Sequence, residues 1–187
     1  MALETKRCYF TFGRFQPPTT GHKDNFAGVK RTASVDDYRI YISQTVDKKG
    51  NNPLPPDRKL FWMNKMFPEH KGKIHSGPRD PVKVLQDIMM SGYDEVIMLV
   101  GSDRVGAMQF LHKYNGTEFK FRKIDIVSSG SRDADGDTFA VSGTKMRRAA
   151  FASDFAAFRK GIPTKLNDND CRSLMNEIKA NLPANFK

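Results

Sequence analysis

The sequence predicts a doubly wound α/β fold: a parallel sheet of about five strands, helices on both faces, and a C-terminal helical segment. Three observations carry this. Short runs rich in aromatic and β-branched residues alternate with stretches of helical periodicity, the pattern of strands joined by right-handed helical crossovers. One run, Glu95-Val96-Ile97-Met98-Leu99-Val100, is apolar almost throughout and suits a strand covered on both faces. From Ser142 onward the strand pattern stops and only helical spacing remains.

Taken in order, Cys8-Tyr9-Phe10-Thr11-Phe12 is the first predicted strand. Gly13 ends it where the backbone can turn sharply or lie against a ligand. Pro17 and Pro18 keep the next stretch out of helix. Thr19 or Thr20 suits an N-cap, and Phe26 and Val29 carry the helix over 23–32. Residues 38–43 alternate as a second strand, and 47–56 form a loop of Gly, Asn and Pro. Leu60, Phe61, Met63 and Phe67 predict a helix over 57–67, and 73–76 a short third strand. Asp80 and Pro81 open the next helix, which Gly92 stops. Gly101-Ser102-Asp103 closes the apolar fourth strand, and residues 104–111 return as helix. Residues 120–127 form a last strand, placed at a sheet edge by Asp125. The tail reads as helices over 143–152, 154–159 and 168–182, broken at Gly161-Ile162-Pro163. Residues 1–187 then make one domain, 1–141 its Rossmann-like core and 142–187 its helical end.

Composition excludes several classes. No apolar run is long enough for a transmembrane helix, and the first seven residues lack a secretory apolar stretch, so a cytoplasmic location is expected. Cys8 and Cys171 lie far apart, which points to reduced thiols, and no metal-ligand spacing is present. The formal charge of +10 comes from scattered basic residues without a long basic run or an aromatic-studded RNA-binding signature. A basic surface with a phosphate pocket is favoured over nucleic-acid binding. Gly-x-Gly-x-x-Gly and P-loop patterns are absent. Asp133-Ala134-Asp135-Gly136-Asp137 lacks calcium-loop spacing and reads as an acidic loop. Trp62, His70, His75 and His112 read as structural or solvated.

Three blocks carry chemistry. In the first, Gly13-Arg14-Phe15-Gln16-Pro17 leads into Thr19-Thr20-Gly21-His22-Lys23, a helix N-terminus with a His and a Lys on its first turn. Exposed amides and the positive dipole end make such a terminus an anion site. In the second, Ser142 caps a helix on which Thr144, Arg147 and Arg148 stand at i, i+3 and i+4, able to grip a terminal phosphate. In the third, Gly101 and Asp103 lie at the rim of the most apolar strand, where a carboxylate can accept from ribose hydroxyls.

Gly-Arg-Phe-Gln-Pro followed by Thr-x-Gly-His resembles the signature of the nucleotidylyltransferase superfamily, whose members carry (His or Thr)-x-Gly-His. The lead-in is most similar to archaeal-type nicotinamide mononucleotide adenylyltransferases. That branch usually has His where Thr19 stands, whereas phosphopantetheine adenylyltransferases use Thr. The second block resembles the Ile-Ser-Ser-Thr-x-x-Arg motif of the same superfamily, with Gly143 in place of its second Ser. The small size and terse loops would suit a phage or archaeal version, with the host cytoplasm as compartment for a phage.

The resemblance implies transfer of a nucleotidyl group from a nucleoside triphosphate to a small phosphomonoester, with release of diphosphate. His22 is then expected to stabilise the transition state and Thr19 to steer a phosphate. Arg14 and Lys23 would neutralise the triphosphate, with Gly13, Phe15 and Gly21 around it. Ser142, Thr144 and Arg147 would hold the β,γ end, and Gly101 and Asp103 the nucleoside. Asn52 and Arg58 would lie near the acceptor. Mg²⁺ would arrive with the nucleotide rather than in a protein cage. The leading substrates are ATP and nicotinamide mononucleotide, giving NAD. The rivals are a cytidylyltransferase, a phosphopantetheine-type adenylyltransferase, or a nucleic-acid-binding module that reuses the fold. A homo-oligomer is compatible with all of these.

Overall fold

A computed structural model describes residues 3–130 and 141–187. β1 (Arg7–Gly13) is the middle strand, paired in parallel with β2 (Asp37–Ile42) on one side and β4 (Glu95–Val100) on the other. β3 (Ile74–Ser76) extends the sheet beyond β2, and β5 (Lys123–Ser128) extends it beyond β4. The described strands run in the order β3-β2-β1-β4-β5. The chain reverses its winding between β1 and β4, so a crevice opens at the carboxyl ends of these two strands. This is the doubly wound, Rossmann-like sheet the sequence predicts.

Period-two alternation divides the core. Ile97 and Leu99 of β4 face α1 (Thr20–Ala33) and α2 (Pro56–Met66), where Phe26, Val29, Met63 and Met66 are buried. Val96, Met98 and Val100 face the other way, toward Val84, Leu85 and Ile88 of α3 (Pro81–Met90). Asp80 caps α3, its Oδ1 accepting from the Lys83 amide at 3.0 Å. α5 (Gly143–Phe151), α6 (Phe155–Lys160) and α7 (Asp168–Asn181) add Met146, Phe158 and Leu174 to the first layer. The helical end therefore shares one core with α1 and α2.

Two expectations shift. The helix over 104–111 is instead a 3-10 turn (Ser102–Arg104), the single turn α4 (Val105–Met108) and a second 3-10 stretch (Gln109–Tyr114). Gly106 weakens helix there, and Leu111 alone among these residues is buried. The last strand starts at Lys123, because the Asn115 side chain takes both the amide and the carbonyl of Phe121 and holds that stretch off the ladder. Cys8 and Cys171 are buried and unbridged, and burial pushes their thiols up, to about 12 and about 11. Among the described residues no helix is long and apolar enough to cross a membrane. The acidic stretch at Asp133–Asp137 lies outside the described residues.

Candidate functional site

The β1–β2 ladder ends at the Gly13–Ile42 pair, and from there the chain leaves the sheet over the crevice. Phe15 turns inward with φ of 48°, a left-handed backbone that costs a non-glycine residue about 1–3 kcal/mol. Its ring is buried and stands perpendicular to the His22 ring, 4.8 Å between centroids, and 5.2 Å from Phe26. A Cβ on Gly13 would fall 2.7 Å from the same ring, so packing demands glycine there. Gln16 exchanges two hydrogen bonds with Leu54, each 2.9 Å, and so pins residues 52–54 against the loop.

Thr19 caps α1. Its amide donates to Nδ1 of His22 at 3.0 Å, and its Oγ1 lies 3.1 Å from the same nitrogen. With Nδ1 accepting, a neutral His22 ring carries its proton on Nε2. The Thr20 amide donates to the Gly161 carbonyl at 2.9 Å, which anchors the helical end at this terminus. Gly21 is exposed, and a Cβ there would meet only Thr19 Oγ1 at an ordinary 3.7 Å. Packing therefore does not require glycine at 21. Its effect is to leave the first-turn backbone bare.

The second block folds onto the first. Ser142 caps α5, its Oγ accepting from the Lys145 amide at 3.2 Å. Arg147 is 6% exposed; Nη1 donates to the Gln16 carbonyl at 2.8 Å and Nη2 to Thr144 Oγ1 at 3.2 Å, while Nε is buried without a partner. A Cβ on Gly143 would lie 3.1 Å from the Gln16 carbonyl oxygen and 3.0 Å from Arg147 Nη1. A side chain at this position would therefore crowd the Gln16 carbonyl.

A second buried cation lies at the same loop. Lys59 of α2 is 0% exposed, and its Nζ donates to the carbonyls of Arg14 at 2.8 Å and Ser43 at 2.7 Å. Burial, and after it the charge of Arg14, push the Lys59 ammonium down to about 8. Burial and then the same Arg14 charge hold the Arg147 guanidinium below its ordinary value, with Arg148 adding to this and Asp47 opposing it. Among the described residues, none of Arg14, Lys59 and Arg147 forms an ion pair with a carboxylate. Two buried cations and the exposed Arg14, with no ion-pair partner among the described residues, beside a helix N-terminus make a site that a polyanion would neutralise.

The structure brings Gly13, Arg14, Thr19, Gly21, His22, Thr144 and Arg147 to the carboxyl end of β1, with Ser142 capping the adjoining helix. Gly101 and Asp103 follow the end of neighbouring β4, Gly101 buried and Asp103 exposed. Five of the expected residues are engaged by the protein itself or lie along α1. Arg58 grips Glu177 of α7 through Nε at 2.7 Å and Nη2 at 3.0 Å and covers the exposed Phe61 ring. The Phe15 side chain is buried in the core and packs edge-on against His22. The Thr19 hydroxyl is turned to His22, the residue being 2% exposed. Lys23 lines a groove of about 500 Å³ with Asp24, Lys30, Glu69 and His70 along α1. Asn52 is buried, its Nδ2 donating to the Asp47 carboxylate and its Oδ1 without a partner. Among the described residues no group of His, Cys, Asp or Glu could hold a metal ion.

Sequence reasoning missed Lys59. Its signal was there: Lys59, Met63 and Met66 stand at i, i+4 and i+7, which places a lysine on the buried face of α2.

No family model matches the chain, and no curated protein matches it. Among solved structures, Thermotoga maritima TmcAL bound with alpha-thio ATP is similar to it, with a TM-score of 0.55 at 9% identity. The alignment covers 91% of this chain and 55% of that one, so this chain spans about half the length of its neighbour. At that identity the likeness is one of fold.

Proposed function

We propose that the chain is a nucleotidylyltransferase that binds a nucleoside triphosphate across the β1–α1 loop and the start of α5. The observation that carries this is the gathering of Arg14, Lys59 and Arg147, without ion-pair partners among the described residues, at the N-terminus of α1. The two motif blocks that supply most of these residues, and a fold neighbour bound with alpha-thio ATP, support the same reading.

An oxygen of the acceptor phosphate attacks the α-phosphorus, and the bond to the α,β-bridging oxygen breaks. Diphosphate departs with the electron pair. A phosphomonoester is largely ionised at pH 7, so no general base is needed. What the protein supplies is alignment and stabilisation of charge. His22, held by Thr19 at Nδ1, presents Nε2–H to the developing charge on the α-phosphoryl group. Arg14 and Arg147 neutralise the triphosphate, Thr144 adds a hydroxyl at its β,γ end, and Asp103 holds the ribose. Mg²⁺ enters with the triphosphate as part of the substrate.

The favoured pair is ATP with nicotinamide mononucleotide, an adenylyl transfer that forms NAD. The test is diphosphate release from each of four triphosphates against nicotinamide mononucleotide, phosphopantetheine and other monoesters. Release with CTP or phosphopantetheine instead reassigns the substrate. A second reading, nucleic-acid binding, is kept open by the net charge of +10. Retardation of DNA that falls steeply with salt, without consumption of any triphosphate, would favour it.

A further inference from the structure

The lysine on the buried face of α2 needs a reason. Replacing it by an apolar residue would suit a layer built of Trp62, Met63 and Met66, and a cation early in a helix opposes the dipole. Its place in the fold supplies the reason. Ser43 N still bonds to the Gly13 carbonyl at 2.9 Å, the last rung between the two strands. Just beyond it the chains diverge, and the carbonyls of Arg14 and Ser43 are left without ladder partners. Lys59 Nζ reaches both, and lies 3.3 Å from Ser43 Oγ as well. All three acceptors belong to backbone or side chain at the point where the sheet opens.

We infer that Lys59 is a positioning residue of the phosphate site: its ammonium ties the loop after β1 to the end of β2 and so fixes how Arg14 and the α1 terminus meet a triphosphate. The inference rests on the proposed phosphate site and adds the element that shapes it. It also adds one positive charge behind the loop, where the charge of Arg14 opposes it. Loss of the proton near pH 8 removes that charge and one of three donors together.

Equilibrium binding of an ATP analogue with a non-hydrolysable α,β bond, to the full chain from pH 7 to 9.5, tests this. Wild type is expected to bind with an affinity that falls at least fivefold across that range. Lys59→Met is expected to bind at least tenfold more weakly at pH 7 and to show no such fall. Lys59→Arg, which keeps the charge, is expected to recover part of the affinity at pH 7 and to stay flat with pH. A wild-type profile that is flat overturns the inference even if the variants fail to fold. So does a folded Lys59→Met that binds as wild type does. A wild-type chain that binds no triphosphate at any pH overturns the phosphate-site reading, and the inference with it.

Discussion

Arg147 Nη1 donates to the carbonyl of Gln16 at 2.8 Å across 131 residues of sequence. One hydrogen bond therefore joins the two motif blocks, and the guanidinium that makes it lies at the proposed site. Among the described residues Nε of the same group is buried without a hydrogen-bond partner, and no carboxylate forms an ion pair with it.

Arg147→Ala is expected to weaken triphosphate binding or lower kcat at least about tenfold, since breaking a buried charged contact costs on the order of 2–5 kcal/mol. Arg148 is exposed, and Arg148→Ala is expected to stay near wild type. Steady-state kinetics of the two variants side by side check this. Equal effects would mean that the burial of Arg147 has no functional consequence.

Gly143→Ala sets two effects against each other. Alanine raises helix propensity by up to about 1 kcal/mol. Its Cβ would also press on the Gln16 carbonyl, a backbone atom, and overpacking costs about 1–3 kcal/mol. The contact is expected to win, with net destabilisation of about 1 kcal/mol in denaturant unfolding. A more stable variant would show that the α5 terminus can move away from the loop.

His22→Asn keeps an acceptor near the position of Nδ1, so the bond from the Thr19 amide can survive while Nε2 is lost. Folding stability is expected to stay close to wild type while kcat falls about 10²–10³-fold. Unchanged kcat would remove His22 from the chemistry.

The Arg58–Glu177 pair predicts a pH effect on stability rather than on acceptor binding. Arg58 holds the Glu177 carboxyl below its ordinary value, with the Trp62 indole N–H assisting and burial opposing. A folded-state value below the unfolded one gives stability that is present above about pH 4.5 and lost as pH falls through the folded value. The Arg58 side chain is 40% exposed, so solvent screening limits the effect to about 0.5–1 kcal/mol. Thermal unfolding of Arg58→Ala should show this deficit at pH 7 and a shrinking one below pH 4.5. Acceptor KM should not change.

Much of this was legible in the sequence because its signals are local. The aromatic run before Gly13, the cap at Asp80 and the apolar run at 95–100 each name their element without help from distant residues. His22 and Arg147 stand out for the same reason, within short blocks of distinctive spacing. The missed features depend on contacts across the chain. Gln16 reads as a loop residue until Leu54 is placed beside it, and Arg58 reads as a cation for a ligand until α7 brings Glu177. Lys59 is legible only if helical spacing is trusted over the usual exclusion of lysine from cores.

The central claim is that the β1–α1 loop and the start of α5 form one triphosphate site. Isothermal titration of wild type and Arg147→Ala with a non-hydrolysable ATP analogue and Mg²⁺, at near-physiological salt, tests it most directly. Saturable binding of one nucleotide per wild-type chain is expected, with an affinity lower by at least about tenfold in Arg147→Ala. No binding by wild type, or equal binding by a folded Arg147→Ala, would contradict it.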